Sequence, residues 1–229
     1  MVTLDKIYHA SHVLKEIIRP TELIKAPKIC PDCNLYIKTE NLQVTGSFKV
    51  RGAYYKISQL SDEEKKKGVI ACSAGNHAQG VALAAAKNGI KAKICIPDGA
   101  PISKVEATKS YGAEVCLVKG VYDDAYEKAV SLVEETGATF IHPFDDEMVI
   151  AGQGSIGLEI IEQLPKVDAV IVPIGGGGLI SGVGFALKSL DPDIKIYGVQ
   201  AEGAASMVKS IKDDEIETLE DVHTIADGI

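Results

Sequence analysis

The sequence predicts an α/β fold with parallel sheets, and two observations support that prediction. From about residue 69 onward, short runs of β-branched and apolar residues alternate with helical segments. Two of the junctions between a strand and the next helix, at 73–77 and 175–178, consist of glycine and small polar residues. With 229 residues, 46% of them hydrophobic, the chain is long enough to bury a substantial core.

The N-terminal part is predicted to hold a helix over 4–18, capped by Thr3, and a short strand over 34–38. A second helix begins near Ser47. Ser61-Asp-Glu-Glu64 has the form of a capping box and predicts the start of a short charged helix. The later predicted strands are 69–72, 92–96, 114–118, 139–142, 169–172 and 195–199, and the later helices are 77–87, 102–110, 122–135, 155–164, 179–190 and 204–211.

This alternation is typical of parallel βαβ units. We expect residues 53–142 to form a small α/β domain that is inserted into a larger one. The larger domain then consists of 1–52 and 143–229, and we expect it to be truncated at its C-terminus because the pattern stops without a closing strand or helix.

Charge and hydropathy exclude several classes of partner. The net charge of −8 and the pI of about 5.2 argue against binding to nucleic acid or to an anionic membrane. No apolar run approaches the roughly 20 residues of a membrane span, and the N-terminus lacks a signal-peptide pattern. A cytoplasmic location is therefore expected.

Five cysteines, an odd number, point to a reducing compartment rather than to a disulfide framework. Cys72, Cys95 and Cys116 lie in strand-like runs and are predicted to be small core residues. Cys30-Pro-Asp-Cys33 is a single CxxC with no second pair of ligands nearby. Its centre favours a tight turn over a metal or redox site.

Lys49 is the candidate nucleophile. Thr45, Gly46 and Ser47 are typical of turns and helix starts, so Lys49 is expected in the first turn of a helix, beside Phe48. Burial and the positive helix N-terminus both lower the pKa of a lysine there and favour the neutral amine that a Schiff-base lysine needs. The plainer alternative is a surface lysine, and the two junctions downstream favour the reactive interpretation.

The two junctions suit anions of different kinds. The backbone N–H groups of the Gly175–Gly178 run can converge on an anion at a helix N-terminus, and the spacing matches neither the ATP nor the NAD motif. A single phosphate fits better than a flexible turn. The Ser73–His77 segment suits a small carboxylate, with local capping of the helix as the alternative. Together with a reactive lysine, these sites indicate pyridoxal phosphate acting on an amino acid.

Three segments carry a family resemblance: Gly46-Ser-Phe-Lys-Val-Arg-Gly-Ala53, Ser73-Ala-Gly-Asn-His-Ala-Gln-Gly80 and Pro173-Ile-Gly-Gly-Gly-Gly-Leu179. They resemble the threonine dehydratases (threonine ammonia-lyases), which are fold-type II pyridoxal-phosphate enzymes related to tryptophan synthase β, serine dehydratase and serine racemase. The resemblance extends over essentially the whole chain, including Ile150-Ala-Gly-Gln-Gly154 and the final Ile225-Ala-Asp-Gly228.

The resemblance implies a role for each site residue. Lys49 binds the cofactor covalently and later removes the Cα proton of the substrate, Phe48 packs on one face of the cofactor ring, and Asn76 hydrogen-bonds the 3′-oxygen. The implied substrate-binding residues are Ser73, Ala74, Gly75, Asn76 and His77, and the implied phosphate-binding residues are Gly175, Gly176, Gly177, Gly178 and Leu179. The implied reaction is β-elimination of L-threonine, and of L-serine, to 2-oxobutyrate or pyruvate and ammonia. A homodimer or homotetramer is implied as well, in threonine catabolism or isoleucine biosynthesis.

Two departures keep alternatives open. Catalytic domains of this family continue past residue 229 to a Ser-Gly-Gly-Asn-like segment that meets the pyridine nitrogen, so an inactive fragment that serves only in binding or assembly is one alternative. Some racemase relatives carry a metal site where Gln200, Ala204 and Ser206 stand here, so no metal is expected. Serine dehydratase or serine racemase is the other alternative. Because eukaryotic serine racemases have a serine at the position of Ala74, we expect elimination without appreciable racemisation.

Overall fold

The computed structural model describes residues 1–226, so Asp227 and Gly228 of the C-terminal motif lie outside the described residues. Its helices are α1 (Leu4–Leu14), α2 (Lys49–Ser58), α3 (Asp62–Lys67), α4 (Asn76–Lys87), α5 (Ile102–Ser110), α6 (Tyr122–Thr136), α7 (Glu147–Gln163), α8 (Gly178–Leu190) and α9 (Ser206–Asp213). Its strands are β1 (Leu23–Lys25), β2 (Tyr36–Lys38), β3 (Val69–Cys72), β4 (Ala92–Pro97), β5 (Glu114–Val118), β6 (Thr139–Phe140), β7 (Ala169–Pro173) and β8 (Lys195–Val199).

A four-stranded parallel sheet in the order β5-β4-β3-β6 carries the first half of the candidate site. Alternate residues of a strand point to opposite faces of the sheet. Val69 and Ala71 of β3 accordingly pack with α2, α4 and α5, whereas Ile70 and Cys72 pack with α6. Every residue of β3 is buried because helices cover both faces. The predicted α/β class with parallel strands is confirmed, and the domain boundaries at 53 and 142 remain predictions.

A second, two-stranded parallel sheet consists of β7 and β8. Val172 packs with Val183 and Leu187 of α8 in a core that also includes residues of α7. Ile171 and Tyr197 lie opposite each other in the register and are exposed at 63% and 51%. Within residues 1–226, no helix is both long and apolar enough to cross a membrane.

An antiparallel hairpin of β1 and β2 precedes these sheets, and the sequence analysis did not predict its first strand. Cys30 and Cys33 lie in the turn that follows β1, with 5.6 Å between their Cα atoms, which fits the predicted turn. They are joined by a disulfide, which the sequence analysis did not predict. Cys72 and Cys95 are buried, as predicted, and Cys116 is half-buried.

The first helix is shorter than predicted. It ends at Leu14 rather than at residue 18, and tighter turns follow, with the N–H groups of Ile17 and Ile18 both bonded to the Leu14 carbonyl. A proline disfavours the helical backbone conformation at the residue before it, and Arg19 precedes Pro20. The Arg19 N–H donates instead to Oε1 of Gln43, at 2.7 Å.

Helix α7 begins eight residues earlier than the predicted 155 because Asp146 caps it. The Asp146 carboxylate accepts hydrogen bonds from the N–H groups of Met148 and Val149 at 2.8 and 3.1 Å. A Cβ at Gly152 would lie 2.6 Å from the Cα of Gly52, so this glycine permits a close crossing of α7 and α2.

Candidate active site

Lys49 is the first residue of α2, as the sequence predicted for a residue in the first helical turn. Its side chain is half-buried, and its Nζ atom lies 3.0 Å from the carbonyl oxygen of Pro143 and 5.4 Å from the centre of the Phe48 ring. Burial lowers the pKa of Lys49 from 10.5 to about 8. About a tenth of this amine is therefore uncharged at pH 7, far more than for an ordinary lysine, as a nucleophilic or basic lysine requires.

The segment Ser73–His77 connects the buried strand β3 to α4. The Ser73 hydroxyl accepts a hydrogen bond from the Gly75 N–H at 3.1 Å, which shapes the turn locally. The first backbone bond of the helix runs from the Gln79 N–H to the Gly75 carbonyl, so the N–H groups of the first helical turn precede it and point out of the helix end. Asn76 is exposed at this end. The segment presents backbone donors and an amide towards the space in front of β3.

The His77 side chain makes a buried hydrogen bond within the fold. Its ring is 3% exposed, and Nε2–H donates to the carbonyl oxygen of Ile141 at 2.8 Å. Burial, together with the charge of Lys49, lowers the pKa of His77 from 6.5 to about 3. The imidazole is therefore uncharged at physiological pH, and its contact with Ile141 ties α4 to the end of β6.

The glycine run connects β7 to α8, and at three of its positions the structure favours glycine over any larger residue. Gly177 adopts a φ of +87°, which L side chains rarely adopt. A Cβ on Gly176 would overlap the ring of Phe144, and one on Gly178 would lie 2.7 Å from the Phe144 carbonyl oxygen. The first backbone bond of α8 runs from the Ser181 N–H to the Gly177 carbonyl, so the amides at the start of this helix precede it. The result is an open anion-binding turn at a helix N-terminus.

These three elements meet around one cavity of about 530 Å³. Its walls include every residue that the sequence singled out for the site: Phe48, Lys49, Ser73, Ala74, Gly75, Asn76, His77, Gly175, Gly176, Gly177, Gly178 and Leu179. The volume is in the range of small-ligand sites, about 300–1,000 Å³. Segments that are far apart in sequence therefore converge on a single site.

Sequence reasoning missed several residues of the cavity wall, namely Cys72, Lys104, Tyr122, Phe144 and Gln153. Phe144 lies in a segment without a predicted helix or strand, and an aromatic residue directly after Pro143 was the only sequence signal of its place in the site. Gln153 is 1% exposed, and its Oε1 accepts a hydrogen bond from the Gly52 N–H at 3.2 Å. No periodic pattern marks such residues, because they face the cavity only through tertiary packing.

The residues present fit the cofactor that the resemblance implies. Pyridoxal phosphate needs an uncharged amine for its aldehyde, an anchor for its phosphate and a surface for its ring. The Lys49 amine has a lowered pKa, and the glycine turn lines the same cavity at the start of α8, packed so closely on Phe144 that a Cβ at Gly176 or Gly178 would clash. Phe48 and Asn76 lie on the wall of the same cavity. Among residues 1–226, no group of three or more His, Cys, Asp or Glu residues is placed to hold a metal ion.

Residues 14–229 match the family described as pyridoxal-phosphate dependent enzyme. The chain is 52% identical over 231 residues to an L-threonine ammonia-lyase of Thermotoga maritima, covering 100% of this chain and 58% of that protein. It is 50% identical over 229 residues to the catabolic L-threonine dehydratase of Escherichia coli K12, covering 99% of this chain and 70% of that protein. The chain thus spans between half and three quarters of the length of these relatives.

Solved structures give the same picture. A maize serine racemase superimposes with a TM-score of 0.96 at 41% identity, covering 99% of this chain and 70% of that one. The processed form of threonine deaminase isoform 2 from Solanum lycopersicum superimposes with a TM-score of 0.94 at 43% identity, covering 99% of this chain and 67% of that one. The fold is shared by proteins named for elimination and for racemisation.

Proposed function

The chain belongs to the family of pyridoxal-phosphate dependent enzymes, of fold-type II, and on that premise we propose that its protein deaminates L-threonine to 2-oxobutyrate and ammonia. The carrying observation is the single cavity that places the Lys49 amine, the Ser73–His77 turn and the glycine turn opposite one another. The similarity to threonine ammonia-lyases at about half identity supports threonine as the substrate.

Within the cavity, the backbone N–H groups of the glycine turn at the start of α8 would hold the phosphate of pyridoxal phosphate. The Lys49 amine would bind its aldehyde, Phe48 would pack on its ring, and Asn76 would donate to its 3′-oxygen. When bound, pyridoxal phosphate supplies an electron sink for the charge that develops on the substrate Cα. The substrate carboxylate lies against the backbone donors of the Ser73–His77 turn.

Once the substrate amino group has replaced it on the cofactor, the freed Lys49 amine would act as the general base. Its amine has a pKa of about 8, close to the working pH, which is the range in which a base transfers protons efficiently. It would take the proton from the substrate Cα and pass a proton to the departing β-hydroxyl group, which leaves as water. Release and hydrolysis of the resulting enamine give 2-oxobutyrate and ammonia. His77 does not compete for this proton, because its ring is buried and bonded to Ile141.

Serine racemisation is the second candidate function, and the superposition on maize serine racemase is the observation that favours it. Racemisation needs a second proton donor on the face opposite Lys49. The position that the resemblance assigns to that donor is held by Ala74, whose methyl group cannot donate a proton. Elimination is therefore the function that these residues support better.

The experiment is direct. The holoenzyme is incubated with L-threonine and, separately, with L-serine, and the oxoacid, ammonia and any D-amino acid are measured by chromatography. We expect 2-oxobutyrate and ammonia in equal amounts from L-threonine. D-Serine as the main product would support the racemase instead, and tight cofactor binding with no turnover of either amino acid would support the binding or assembly unit.

We also propose a cytoplasmic homo-oligomer, a dimer or a tetramer. The net charge of −8 supports an aqueous compartment, and the buried free thiols Cys72 and Cys95 support a reducing one, in which the Cys30–Cys33 pair would be reduced. The exposed apolar residues Ile171 and Tyr197 on the β7–β8 sheet would be covered in the full-length protein, by the rest of the catalytic domain or by a second subunit. Light scattering on the purified protein measures the oligomeric state, and a monomer at micromolar concentration would contradict this part of the proposal.

A further inference from the structure

Arg51 is a fully buried cation two residues after Lys49. Its Nε and Nη2 atoms each donate to the Glu40 carboxylate at 2.8 Å. Its Nη1 and Nη2 atoms donate to the Glu159 carboxylate at 2.5 and 3.0 Å, and Nη1 also donates to the Ser155 hydroxyl at 3.1 Å. The guanidinium is thus held on two sides by carboxylates.

A second cation completes the cluster. Lys38 donates to Glu159 at 2.5 Å and to the carbonyl oxygen of Thr21 at 2.6 Å, and the Thr21 hydroxyl donates to Glu40 at 2.6 Å. Burial would raise the pKa of Glu159, but hydrogen bonds from Arg51 and Lys38 lower it below its usual range. Lys38, Glu40, Arg51 and Glu159 form what we call the ionic quartet, with two cations and two carboxylates.

The ionic quartet joins four pieces of the chain. Lys38 ends strand β2, Glu40 begins a short 3-10 turn over Glu40–Leu42, Arg51 lies in the first turn of α2, and Glu159 lies in α7. Side chains two positions apart on a helix point about 200° apart around its axis. Arg51 therefore anchors the first turn of α2 on the side facing the protein body, while Lys49 on the other side faces the cavity.

The backbone of this first turn of α2 is also in close contact with α4, on the side away from Arg51. A Cβ on Gly80 of α4 would lie 3.1 Å from both the Lys49 carbonyl carbon and the Val50 nitrogen, so the helices are in backbone contact there. The start of α2 is confined between α4 and the ionic quartet. Arg51 and Lys49 share this first turn, so a change in its position would alter the distance between the Lys49 amine and Pro143.

Stability alone does not explain such a cluster. Replacing a buried group of paired charges by well-packed apolar residues is often neutral or stabilising, whereas removing one member leaves a buried charge unpaired. Paired charges do impose a defined geometry, because each bidentate Arg–carboxylate contact fixes an orientation.

We propose that the ionic quartet positions Lys49, with Arg51 as the positioning residue that holds the first turn of α2 so that the Lys49 amine reaches the cavity. The inference rests on the proposed role of Lys49 as the cofactor-binding lysine. Arg51 itself contacts neither cofactor nor substrate in this scheme.

The test uses two variants. Arg51→Met leaves two carboxylates facing one ammonium, whereas Arg51→Met/Glu40→Gln leaves one of each and restores neutrality. We expect the single variant to lower the thermal unfolding midpoint and the double variant to recover most of that loss. Both variants should nevertheless bind pyridoxal phosphate more weakly and turn over more slowly. A misplacement of about 1 Å at a reacting group costs about 100-fold in rate.

A readout without the cofactor separates position from folding. The Lys49 amine of the apoprotein is titrated by NMR after reductive ¹³C-methylation, and its signal is assigned by its absence in Lys49→Arg. We expect the pKa to rise in both variants from about 8 towards 10.5, because a displaced amine is better solvated. If the double variant regains the original pKa and cofactor affinity together with its stability, the quartet is only structural and the proposal is wrong.

Two further variants serve as a stability control and as a substitute if the first variants do not fold. Lys56→Met on the same helix breaks the Lys56–Asp146 ion pair of 2.7 Å and should lower stability without moving the Lys49 pKa. If neither Arg51→Met protein folds, Arg51→Lys keeps the charge but loses the fork and is measured instead, with an unchanged Lys49 pKa counting against the proposal. If the wild-type holoenzyme shows no cofactor bound to Lys49, the proposed function fails, while the amine titration still tests the positioning.

Discussion

The Lys49 amine donates a hydrogen bond of 3.0 Å to the carbonyl oxygen of Pro143, a residue 94 positions away in the sequence. Lys49 begins α2, and Pro143 lies in the segment between β6 and α7. The bond fixes the direction of the amine while its lone pair, in the neutral form, stays available. Phe144, the next residue, packs against the glycine turn, so one short segment touches both the amine and the anion-binding turn.

Replacing Lys49 with alanine should abolish covalent cofactor binding. The visible Schiff-base absorbance of the holoenzyme should disappear, and turnover should fall by about 10²–10⁴-fold or more, because a general base alone contributes that much. Absorbance spectra and oxoacid formation measure the two effects. Lys56→Ala on the same helix is the control and should keep the absorbance. Cofactor that remains covalently bound in Lys49→Ala would show that another lysine is used.

The rate at which the apoprotein captures pyridoxal phosphate should depend on pH through Lys49. Only the neutral amine attacks the aldehyde, and with a pKa of about 8 the rate should rise about tenfold per pH unit from pH 6 and level off above 8. His77, whose pKa burial lowers to about 3, stays uncharged in this range, and burial also lowers the pKa of His142. Stopped-flow absorbance measures the profile. A rate that keeps rising beyond pH 10 would indicate a solvated amine instead.

His77 should make the protein sensitive to acid. Its pKa is about 3 when folded against 6.5 ordinarily, so the unfolded chain binds more protons than the folded one between these values. The contribution of His77 to the free energy of unfolding is fully present above pH 6.5 and is lost progressively as the pH falls towards 3. Between pH 7 and 5 the free energy of unfolding should fall by about 2 kcal/mol. Urea unfolding at both pH values measures it. His77→Gln, which can still donate to Ile141, should lose about 2 kcal/mol less, and an equal loss in both proteins would refute the assignment.

Gly176→Ala should weaken cofactor binding because its methyl group overlaps the Phe144 ring. Overpacking of this kind typically costs about 1–3 kcal/mol of stability. The matched control is Gly184→Ala in α8, where a Cβ would make an ordinary contact of 3.6 Å with Cγ2 of Ile196. This substitution should not lower stability, because alanine has a higher helix propensity than glycine. Thermal unfolding and cofactor titration compare the two. Adding Phe144→Leu should rescue Gly176→Ala in part, and a Gly176→Ala protein with unchanged affinity would contradict the packing argument.

Ala74→Ser should add proton exchange on the face opposite Lys49. Ala74 lies on the cavity wall, and a serine hydroxyl there can return a proton to Cα, whereas a methyl group cannot. D-Serine formed from L-serine, measured by chiral chromatography, should be detectable in the variant and negligible in the unmodified enzyme. Ala78→Ser, in the buried part of α4, is the control. Substantial D-serine from the unmodified enzyme would mean that another residue supplies the second proton.

Features that depend on neighbouring residues could be predicted from the sequence. The caps at Thr3 and Ser61 were predicted and are present, because a cap satisfies backbone groups within three or four positions. The alternation of strands and helices follows from hydrophobic periodicity, which is equally local. The site motifs were recognisable for the same reason, since each is a short turn at the end of one strand or the start of one helix.

What lies between these local pieces depends on tertiary packing. The predicted start of α7 was eight residues too late, and the close crossing of its Gly152 with Gly52 of α2 is a contact that no local pattern records. The Lys49–Pro143 bond, the packing of Phe144 against Gly176 and the contacts of Arg51 with Glu40 and Glu159 join residues that are distant in the chain. Their energies depend on burial and on the distance between side chains, and both quantities exist only once the helices and sheets have packed.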